Sequence, residues 1–388
     1  MRKIEKIIAI ALTISIFCCF AMLPISAVGD VESSKDDMGI DCRSAILMEA
    51  TTGEVLYEMN ADEALPPASV TKIMTLLLIM EAIEKGTLKL DDIVTASAHA
   101  SSMGGSQIYL KEGEQMSVED LLKSVIIASA NDAALALAEH IAGSERAFVD
   151  MMNKRAKELG LQNTNFENTN GLDDTVQNHV TSARDIAIMS RELIKHKKIT
   201  EYSSIWMDTV RGGEFGLTNT NRLIRFYKGA TGLKTGSTSK AKFCITATAQ
   251  RDGLSLICVI MAAPTRDIRN AAAASLLDWG FANYAVYKNQ PNELTSPRVV
   301  GGVRSKCEVQ YDEFSCVVKK SELSKVSFEI ELDETLAAPI KKGEKVGRVI
   351  YKLENKELGE SPIIASEEVA KINFWGLMLK LLSKMAIT

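Results

Sequence analysis

One short stretch, residues 66–80, constrains the fold of this chain more than any other. Two prolines, which stop a preceding helix, are followed by an almost uninterrupted apolar run. Apolar residues on all sides predict a helix buried in the core, where an unpaired lysine would be costly. Yet Lys72 lies three residues after Ser69, so both side chains project from one face of the helix. A desolvated lysine has a lowered pKa and can act as the base that activates a serine nucleophile.

The pattern Ser-x-x-Lys also arises by chance, as a helix-capping serine followed by a surface lysine. Two later motifs change that balance. Ser129-Ala-Asn131 interrupts a helical pattern, so a hydroxyl and a carboxamide can both point into a cleft. Lys234-Thr235-Gly236 begins a predicted strand, where a cation and a hydroxyl suit a carboxylate and glycine permits close approach of an extended peptide. Taken singly, the first of these motifs is also typical of a helix cap, and the second is also typical of an exposed strand end.

Length, charge and cysteine content limit the class of protein. A chain of 388 residues is long enough for two or three domains, and its net charge of −5 argues against nucleic acid as a main partner. Residues 1–29 have the basic start, apolar run and small residues of a signal peptide; an uncleaved membrane anchor is the alternative. The remaining cysteines are too sparse for a disulfide framework. No metal-ligand spacing occurs among histidines, cysteines and carboxylates, so we expect neither a metal nor a cofactor.

Hydrophobic periodicity predicts helices and antiparallel strands in the first 285 residues and mostly strands afterwards. The predicted elements are a strand pair in residues 44–57, helices from Ser117 and over 146–159 and 182–194, a strand pair over 243–249 and 254–261, and a helix over 269–281. Alternating apolar residues with Gly-Gly and Lys-Gly turns over residues 299–364 predict a small all-β domain.

In this order, the three motifs are close to the set that marks class A β-lactamases and penicillin-binding proteins. The chain resembles the low-molecular-weight penicillin-binding proteins that are serine-type D-alanyl-D-alanine carboxypeptidases, peptidase family S11. The likeness covers residues from about 41 to 284 and includes the segments 66–72, 104–106, 129–133, 168–172, 179–185 and 232–236.

The resemblance implies an α+β fold. Its catalytic domain is β-lactamase/transpeptidase-like, with an antiparallel sheet flanked by helices and a helical subdomain, and a small all-β sandwich domain and a C-terminal amphipathic helix follow. The expected boundaries are a signal peptide over 1–29, the catalytic domain over 38–285, the β domain over 296–366 and the helix over 369–388.

The resemblance also implies a role for each motif residue. Ser69 would be the acylated nucleophile, Lys72 the general base, and Ser129 the group that passes the proton to the leaving amine. Among the substrate-binding residues, Asn131 would hold the penultimate peptide group and Gly236 would lie against the peptide backbone. Lys234 and Thr235 would bind the terminal carboxylate, with Arg269 beside it. The backbone N–H groups of Ser69 and Ser237 would form an oxyanion hole. The implied activity is removal of the terminal D-alanine from peptidoglycan stem peptides, with β-lactam antibiotics as covalent inhibitors.

Some positions depart from the family pattern. Many relatives have histidine where this chain has Ser237, and Ala-Gly-Tyr where it has residues 241–243, which should alter the shape of the pocket rather than abolish the reaction. The lysine at position 242 resembles that of carboxypeptidases associated with sporulation in Gram-positive bacteria.

Three other interpretations were weighed against this one. A β-lactamase needs a deacylating glutamate; Glu167 lies in the right part of the chain, but the residues after it do not fit the Glu-x-x-x-Asn pattern. A catalytically silent wall-binding module conflicts with three intact motifs. A Ser-His-Asp triad with His179 and Asp185 lacks the Gly-x-Ser-x-Gly elbow.

Two further expectations concern the C-terminal part. Cys307 and Cys316 would lie opposite each other if residues 311–312 form a two-residue turn; a longer loop with unpaired thiols is equally consistent with the sequence. In the tail, polar residues share one helical face, and aromatic and aliphatic residues fill the rest. This pattern predicts a helix in the membrane interface, with a helix packed on the protein's own core as the alternative. The enzyme would then be exported and held at the outer face of the cytoplasmic membrane.

Overall fold

The computed structural model describes residues 38–174 and 176–385, so the predicted signal peptide and the last three residues of the tail lie outside it. In chain order the strands are β1 (Ser44–Glu49), β2 (Val55–Met59), β3 (Ile93–Thr95), β4 (Gln115–Ser117), β5 (Met207–Val210), β6 (Phe215–Thr218), β7 (Ala230–Thr238), β8 (Lys242–Arg251), β9 (Leu254–Ala263), β10 (Tyr284–Asn289), β11 (Arg298–Val300), β12 (Val309–Gln310), β13 (Phe314–Lys319), β14 (Val326–Leu332), β15 (Thr335–Ala337), β16 (Lys345–Leu353) and β17 (Lys356–Ala365).

The helices alternate with the earlier strands and are few after residue 283. They are α1 (Lys72–Glu84), α2 (Ala98–Ser101), α3 (Val118–Ile127), α4 (Asn131–Ala142), α5 (Glu145–Glu158), α6 (Ala183–Leu193), α7 (Lys197–Ser203), α8 (Leu223–Phe226), α9 (Arg266–Asn283) and α10 (Phe374–Met385). The predicted helices over 146–159, 182–194 and 269–281 are confirmed as α5, α6 and α9.

A five-stranded antiparallel sheet is the centre of residues 44–283. Its strand order is β2-β1-β9-β8-β7, so both predicted strand pairs are confirmed and the N-terminal pair lies beside the later one. Strand β9 is buried along nearly its whole length because α6 and α9 pack against it. Such double coverage explains its continuous apolar sequence, which does not alternate.

Helix α1 runs through the helical part of the core. Its residues from Lys72 to Met80 are all buried, and it packs against α4, α5 and α6. The expectation of a buried helix after the two prolines is therefore confirmed.

The predicted break between two helices is present. Helix α3 begins at a serine cap, in which the Ser117 side chain accepts a hydrogen bond from Asp120 N–H, and it ends at Ile127. Helix α4 begins at Asn131. Between them Ser129 has a left-handed backbone with φ of 63°, a conformation that costs free energy for a non-glycine residue and is often found at active sites.

The remaining strands form the C-terminal β region. Strands β12, β17, β16 and β14 make a four-stranded sheet in that order, and β10–β13 and β11–β15 are separate pairs. Its core is apolar and includes Val349, Tyr351 and Ile363 in one cluster and Ile340 and Val369 in another. Strand β10 follows α9 directly, so the chain enters this region without a long linker.

The proposed neighbouring pair Cys307 and Cys316 is not formed. Both cysteines are free. Cys307 precedes β12, which pairs with β17, whereas Cys316 lies in β13 opposite Tyr287 of β10. The expected two-residue turn does not close because the buried Tyr311 separates two strands that have different partners. The open-loop alternative with unpaired thiols is the one observed.

The tail forms helix α10, whose start is capped by Asn373 accepting a hydrogen bond from Gly376 N–H at 2.8 Å. Its apolar side chains are exposed, among them Phe374, Trp375 and Leu379. Within the described residues, no helix has the length and apolar character required to cross a membrane.

Candidate active site

The nucleophile candidate Ser69 lies in a tight turn directly before α1. Residues Ala68–Thr71 form a 3-10 turn, and Ala68 has a left-handed φ of 48°. The turn ends where Lys72 begins the α-helix, so the two motif residues lie on one face although only the lysine is in the α-helix. Lys72 Nζ is 2.9 Å from Ser69 Oγ, which confirms the predicted proximity.

Besides Ser69 Oγ, Lys72 Nζ has two hydrogen-bond partners, and both are oxygen acceptors. Its Nζ atom is 2.5 Å from Asn131 Oδ1 and 2.9 Å from the Asn170 carbonyl oxygen, and both can only accept. The Asn131 orientation is set because its Nδ2 donates to the Gly104 carbonyl at 2.7 Å. A neutral amine has two N–H groups and one lone pair. In the neutral form both N–H groups are engaged by these acceptors and the lone pair is left for the Ser69 hydroxyl, whereas the ammonium form donates to all three oxygens.

Burial and a second lysine favour this neutral form. Lys72 is completely buried, and desolvation is the main reason that its pKa lies well below the usual value for lysine. The nearby Lys234 cation lowers the pKa of Lys72 further, and Asp132 opposes this shift.

The second motif meets the third on the other side of the cleft. Lys234 Nζ donates to Ser129 Oγ at 2.7 Å and to the Thr235 carbonyl at 2.9 Å. Burial, together with the Arg269 cation, lowers the pKa of Lys234 to about 7. A lysine poised near neutrality can hold an anion and exchange a proton with the hydroxyl beside it.

Strand β7 carries the third motif against the nucleophile turn. A Cβ atom on Gly236 would lie 2.8 Å from Ser69 N and 2.9 Å from Val70 N, so only glycine allows this approach. The Thr235 hydroxyl donates to Thr220 Oγ1 at 2.8 Å. Ser237 comes directly after Gly236 in the strand and is exposed. The three motifs, widely separated in sequence, are thus brought into one cleft.

Arg269 lies behind the third motif on α9. It is 3% exposed, and its Nη1 donates to the Cys244 carbonyl at 3.4 Å, on the strand residue paired with Gly236. Its other donors bind the Asn270 side chain. From this position behind the strand, the positive charge of Arg269 lowers the pKa of Lys234, an interaction that the sequence alone did not indicate.

Two matches to protein-family descriptions cover most of the chain. Residues 30–265 match the family described as D-alanyl-D-alanine carboxypeptidase, and residues 292–371 match the C-terminal domain of penicillin-binding protein 5. The chain belongs to the D-alanyl-D-alanine carboxypeptidase family.

Relatives and solved structures agree with this family. The chain is 44% identical over 346 residues to D-alanyl-D-alanine carboxypeptidase DacF of Bacillus subtilis (strain 168), covering 87% of this chain and 88% of the relative. Penicillin-binding protein 5 from Haemophilus influenzae has a TM-score of 0.72 at 33% identity, covering 86% of this chain and 98% of that one. Penicillin-binding protein D2 from Listeria monocytogenes in its ampicillin-bound form has a TM-score of 0.57 at 32% identity, over 62% of this chain and 97% of that one. The predicted family and α+β fold are confirmed.

Sequence reasoning did not identify several residues of this carboxypeptidase site. The Asn170 and Gly104 carbonyls, which hold Lys72 and Asn131, act through the backbone and leave no side-chain signal. Asp132 is completely buried and accepts hydrogen bonds from Ile108 N–H and Leu110 N–H, which fixes one wall of the cleft. The sequence did contain a signal for Asp132, because it is a charged residue within the apolar pattern that follows the Ser129 motif.

His179 is part of the support rather than the chemistry. Its Nδ1 accepts from Glu167 N–H at 3.0 Å, and its Nε2 lies 2.7 Å from the Thr71 hydroxyl, which in turn donates to the Ala68 carbonyl. Burial lowers the pKa of His179 to about 4, so the ring is neutral and Nε2 is the donor. These contacts hold the nucleophile turn, and they agree with the rejection of a Ser-His-Asp triad.

Proposed function

We propose that this enzyme removes the C-terminal D-alanine from peptidoglycan stem pentapeptides through an acyl intermediate on Ser69. The observation that carries the proposal is the contact of 2.9 Å between the buried Lys72 Nζ and Ser69 Oγ, at a lysine whose pKa is lowered by burial. A serine becomes a useful nucleophile only when a base of suitable pKa accepts its proton. Family membership supports the same substrate class.

In the acylation step, Lys72 Nζ accepts the Ser69 proton while Oγ attacks the carbonyl carbon between the two D-alanines. The backbone N–H groups of Ser69 and Ser237 stabilise the oxyanion that forms. Ser129, bound to Lys234 at 2.7 Å, delivers a proton to the leaving amine and regains one from the Lys72 ammonium, so D-alanine departs and Lys72 is neutral again. Water then attacks the ester while Lys72 accepts its proton. Lys72 passes this proton to Ser69 Oγ as the ester bond breaks, which releases the shortened stem peptide and restores Ser69.

Substrate binding uses the cationic side of the cleft. Lys234 and Thr235 bind the terminal carboxylate, and buried Arg269 adds positive potential from behind β7. The Asn131 carboxamide has two N–H donors, of which one binds Gly104, and we assign the other to the penultimate peptide carbonyl of the substrate. The narrow space above Gly236 suits an extended peptide backbone.

β-Lactam antibiotics should acylate Ser69 and remain attached. The ampicillin-bound Listeria relative supports binding of this class of inhibitor. A β-lactamase reaction is disfavoured because the Glu167 carboxylate accepts hydrogen bonds from Gln177 N–H and Asn178 N–H, which hold it in its own loop.

Helix α10 supports attachment to the outer face of the cytoplasmic membrane after export. Its exposed Phe374, Trp375 and Leu379 are the side chains that enter a lipid interface. Truncation after Ala370 should leave an active enzyme that no longer sediments with membranes, since all three motifs lie upstream. If the mature full chain stays in the soluble fraction, or the truncated chain still sediments, the attachment is wrong.

Mass spectrometry of a stem pentapeptide incubated with the enzyme tests the reaction. The expected product has lost a single alanine, and Ser69→Ala should abolish both this loss and labelling by fluorescent penicillin. An unchanged peptide would support a silent wall-binding module, and rapid turnover of penicillin would support a β-lactamase. A labelled Ser69→Ala protein would remove Ser69 from the mechanism.

A further inference from the structure

An exposed aromatic side chain lies on the segment of chain that contacts the Ser129 motif. Tyr109 is 68% exposed and has a left-handed φ of 59°, which is unfavourable for a bulky residue. Its ring packs edge-on against Phe215, with the ring centroids 6.3 Å apart. An exposed ring on a strained backbone contributes little to stability, so this conformation points to binding.

Hydrogen bonds on both sides fix the backbone of Tyr109. On one side, buried Asp132 accepts from the N–H groups of Ile108 and Leu110. On the other side, Arg211 donates to the Ile108 carbonyl at 2.8 Å and to Glu114 at 2.7 Å, and its guanidinium lies 5.3 Å from the Phe215 ring centroid.

These contacts connect the ring to the catalytic residues. Asp132 directly follows Asn131, whose backbone N–H donates to the Ser106 carbonyl at 2.7 Å. Tyr109 is three residues beyond Ser106, a separation of at most about 10 Å. The three residues that separate the penultimate D-alanine from the sugar-linked end of an extended stem peptide reach about 10 Å, which is enough to span this segment.

The ring borders a cavity of about 660 Å³ that has the chemistry of a sugar site. Besides the two aromatic rings, it is lined by the charged residues Lys111, Glu112, Glu114, Arg211 and Glu214. An exposed aromatic face covers the C–H face of a pyranose, and carboxylates and cations around it can bind hydroxyl and acetamido groups.

We infer that Tyr109, Phe215 and the charged residues around them form a subsite for the N-acetylmuramyl sugar to which the stem peptide is attached. This inference rests on the proposed carboxypeptidase reaction and extends its substrate from the peptide to the glycopeptide. Covering roughly 50 Å² of ring surface corresponds to about a tenfold gain in kcat/KM for the sugar-bearing substrate.

The test compares release of D-alanine from free pentapeptide and from N-acetylmuramyl-pentapeptide. The wild type should prefer the muramyl substrate by about tenfold. Tyr109→Asn removes the ring but tolerates the left-handed backbone, so it should lose this preference and keep its rate on the free peptide. Tyr109→Phe should retain the preference. Phe226→Asn, which removes another exposed ring on α8, should behave as the wild type.

Penicillin acylation provides an independent readout, because benzylpenicillin carries no sugar. Its rate should be unchanged in Tyr109→Asn, which shows that the catalytic residues remain in place. Equal wild-type rates on the two substrates, or an equal loss on both in Tyr109→Asn, would overturn the subsite. Absence of D-alanine release from either substrate by the wild type would contradict the proposed reaction itself.

Discussion

Charged side chains are placed differently in the catalytic region, residues 44–283, and in the β region that follows it. The catalytic region buries Lys72, Lys234, Arg269 and Asp132 almost completely. In the described part of the β region, by contrast, Ser361 is the one polar residue among those that are buried. Its charges form exposed cross-strand pairs, such as the pairs of Arg348 with Glu331 and Glu360 and that of Lys352 with Glu329.

The difference shows where burial of charge has a chemical purpose. Desolvating a cation is unfavourable, and in the catalytic region this cost lowers the pKa of the candidate base Lys72 and brings the pKa of Lys234 to about 7. The β region has an apolar core and needs no such group, and exposed ion pairs contribute little to stability. Substitutions should therefore have different kinds of effect in the two regions.

The largest effect is expected from Lys72→Arg. Arginine stays protonated in proteins and cannot accept the Ser69 proton, so acylation by penicillin should fall by at least about 10³-fold. Lys85→Arg changes an exposed lysine directly after the end of the same helix, and it should keep the wild-type rate. Stopped-flow acylation measures both. A wild-type rate for Lys72→Arg would show that another group is the base.

Gly171→Ala adds a single methyl group and should strongly lower the stability of the folded protein. A Cβ atom at this position would lie 1.8 Å from the Ala68 carbonyl oxygen, and the glycine has a φ of 86°. We expect a loss of about 3 kcal/mol in the free energy of unfolding, with displacement of the nucleophile turn. Gly86→Ala has a similar φ of 72° but meets no atom within 4 Å, so only the backbone strain of about 1 kcal/mol remains. Equal losses in urea unfolding would show that the contact with Ala68 relaxes freely.

The pKa of Lys234 predicts a pH dependence of substrate binding. Below pH 7 this lysine is protonated and, in the proposed mechanism, binds the terminal carboxylate; above its pKa of about 7 the free enzyme loses the cation. KM for the pentapeptide should rise with pH above 7, by up to about tenfold per unit, because the carboxylate stays ionised throughout. A C-terminally amidated peptide is the control, and its KM should not change. A flat KM for the carboxylate substrate would place the cation elsewhere.

Glu329→Gln in the β region should have the smallest effect. It breaks an ion pair with Lys352 in which the two side chains are 63% and 31% exposed. The expected change in the free energy of unfolding is at most about 0.5 kcal/mol, and it should shrink further in salt. Chemical denaturation at two ionic strengths measures it. A loss as large as that of Gly171→Ala would mean that the two regions do not differ in this respect.

Local patterns in the sequence predicted the catalytic region well. The prolines and apolar run before and within α1, the cap at Ser117 and the break before Asn131 all depend on neighbouring residues, and all are present. The proximity of Ser69 and Lys72 also follows from helical spacing alone. The meeting of the three motifs was predicted only through the resemblance to a family, because no local rule relates residues so far apart.

Contacts that depend on register or on backbone atoms were not predicted. The turn length left open whether Cys307 and Cys316 face each other or are unpaired thiols around a longer loop, and the choice of strand partners in the β region decided for the second. The Asn170 carbonyl is a ligand of Lys72 that any residue type could supply. The anchoring of Tyr109 by Asp132 and Arg211 likewise needs coordinates, since these residues come from distant parts of the chain.

The order of strands in the central sheet has a consequence for how the chain folds. Strand β1 pairs with β9, more than two hundred residues later, and β9 also joins β8 and β7 to the sheet. Contacts so distant in sequence make folding slow, because a long loop must close before they form. The N-terminal hairpin therefore has no completed sheet to join until residue 263 is available. The nucleophile turn and the strand that faces it therefore assemble only after most of the polypeptide is available.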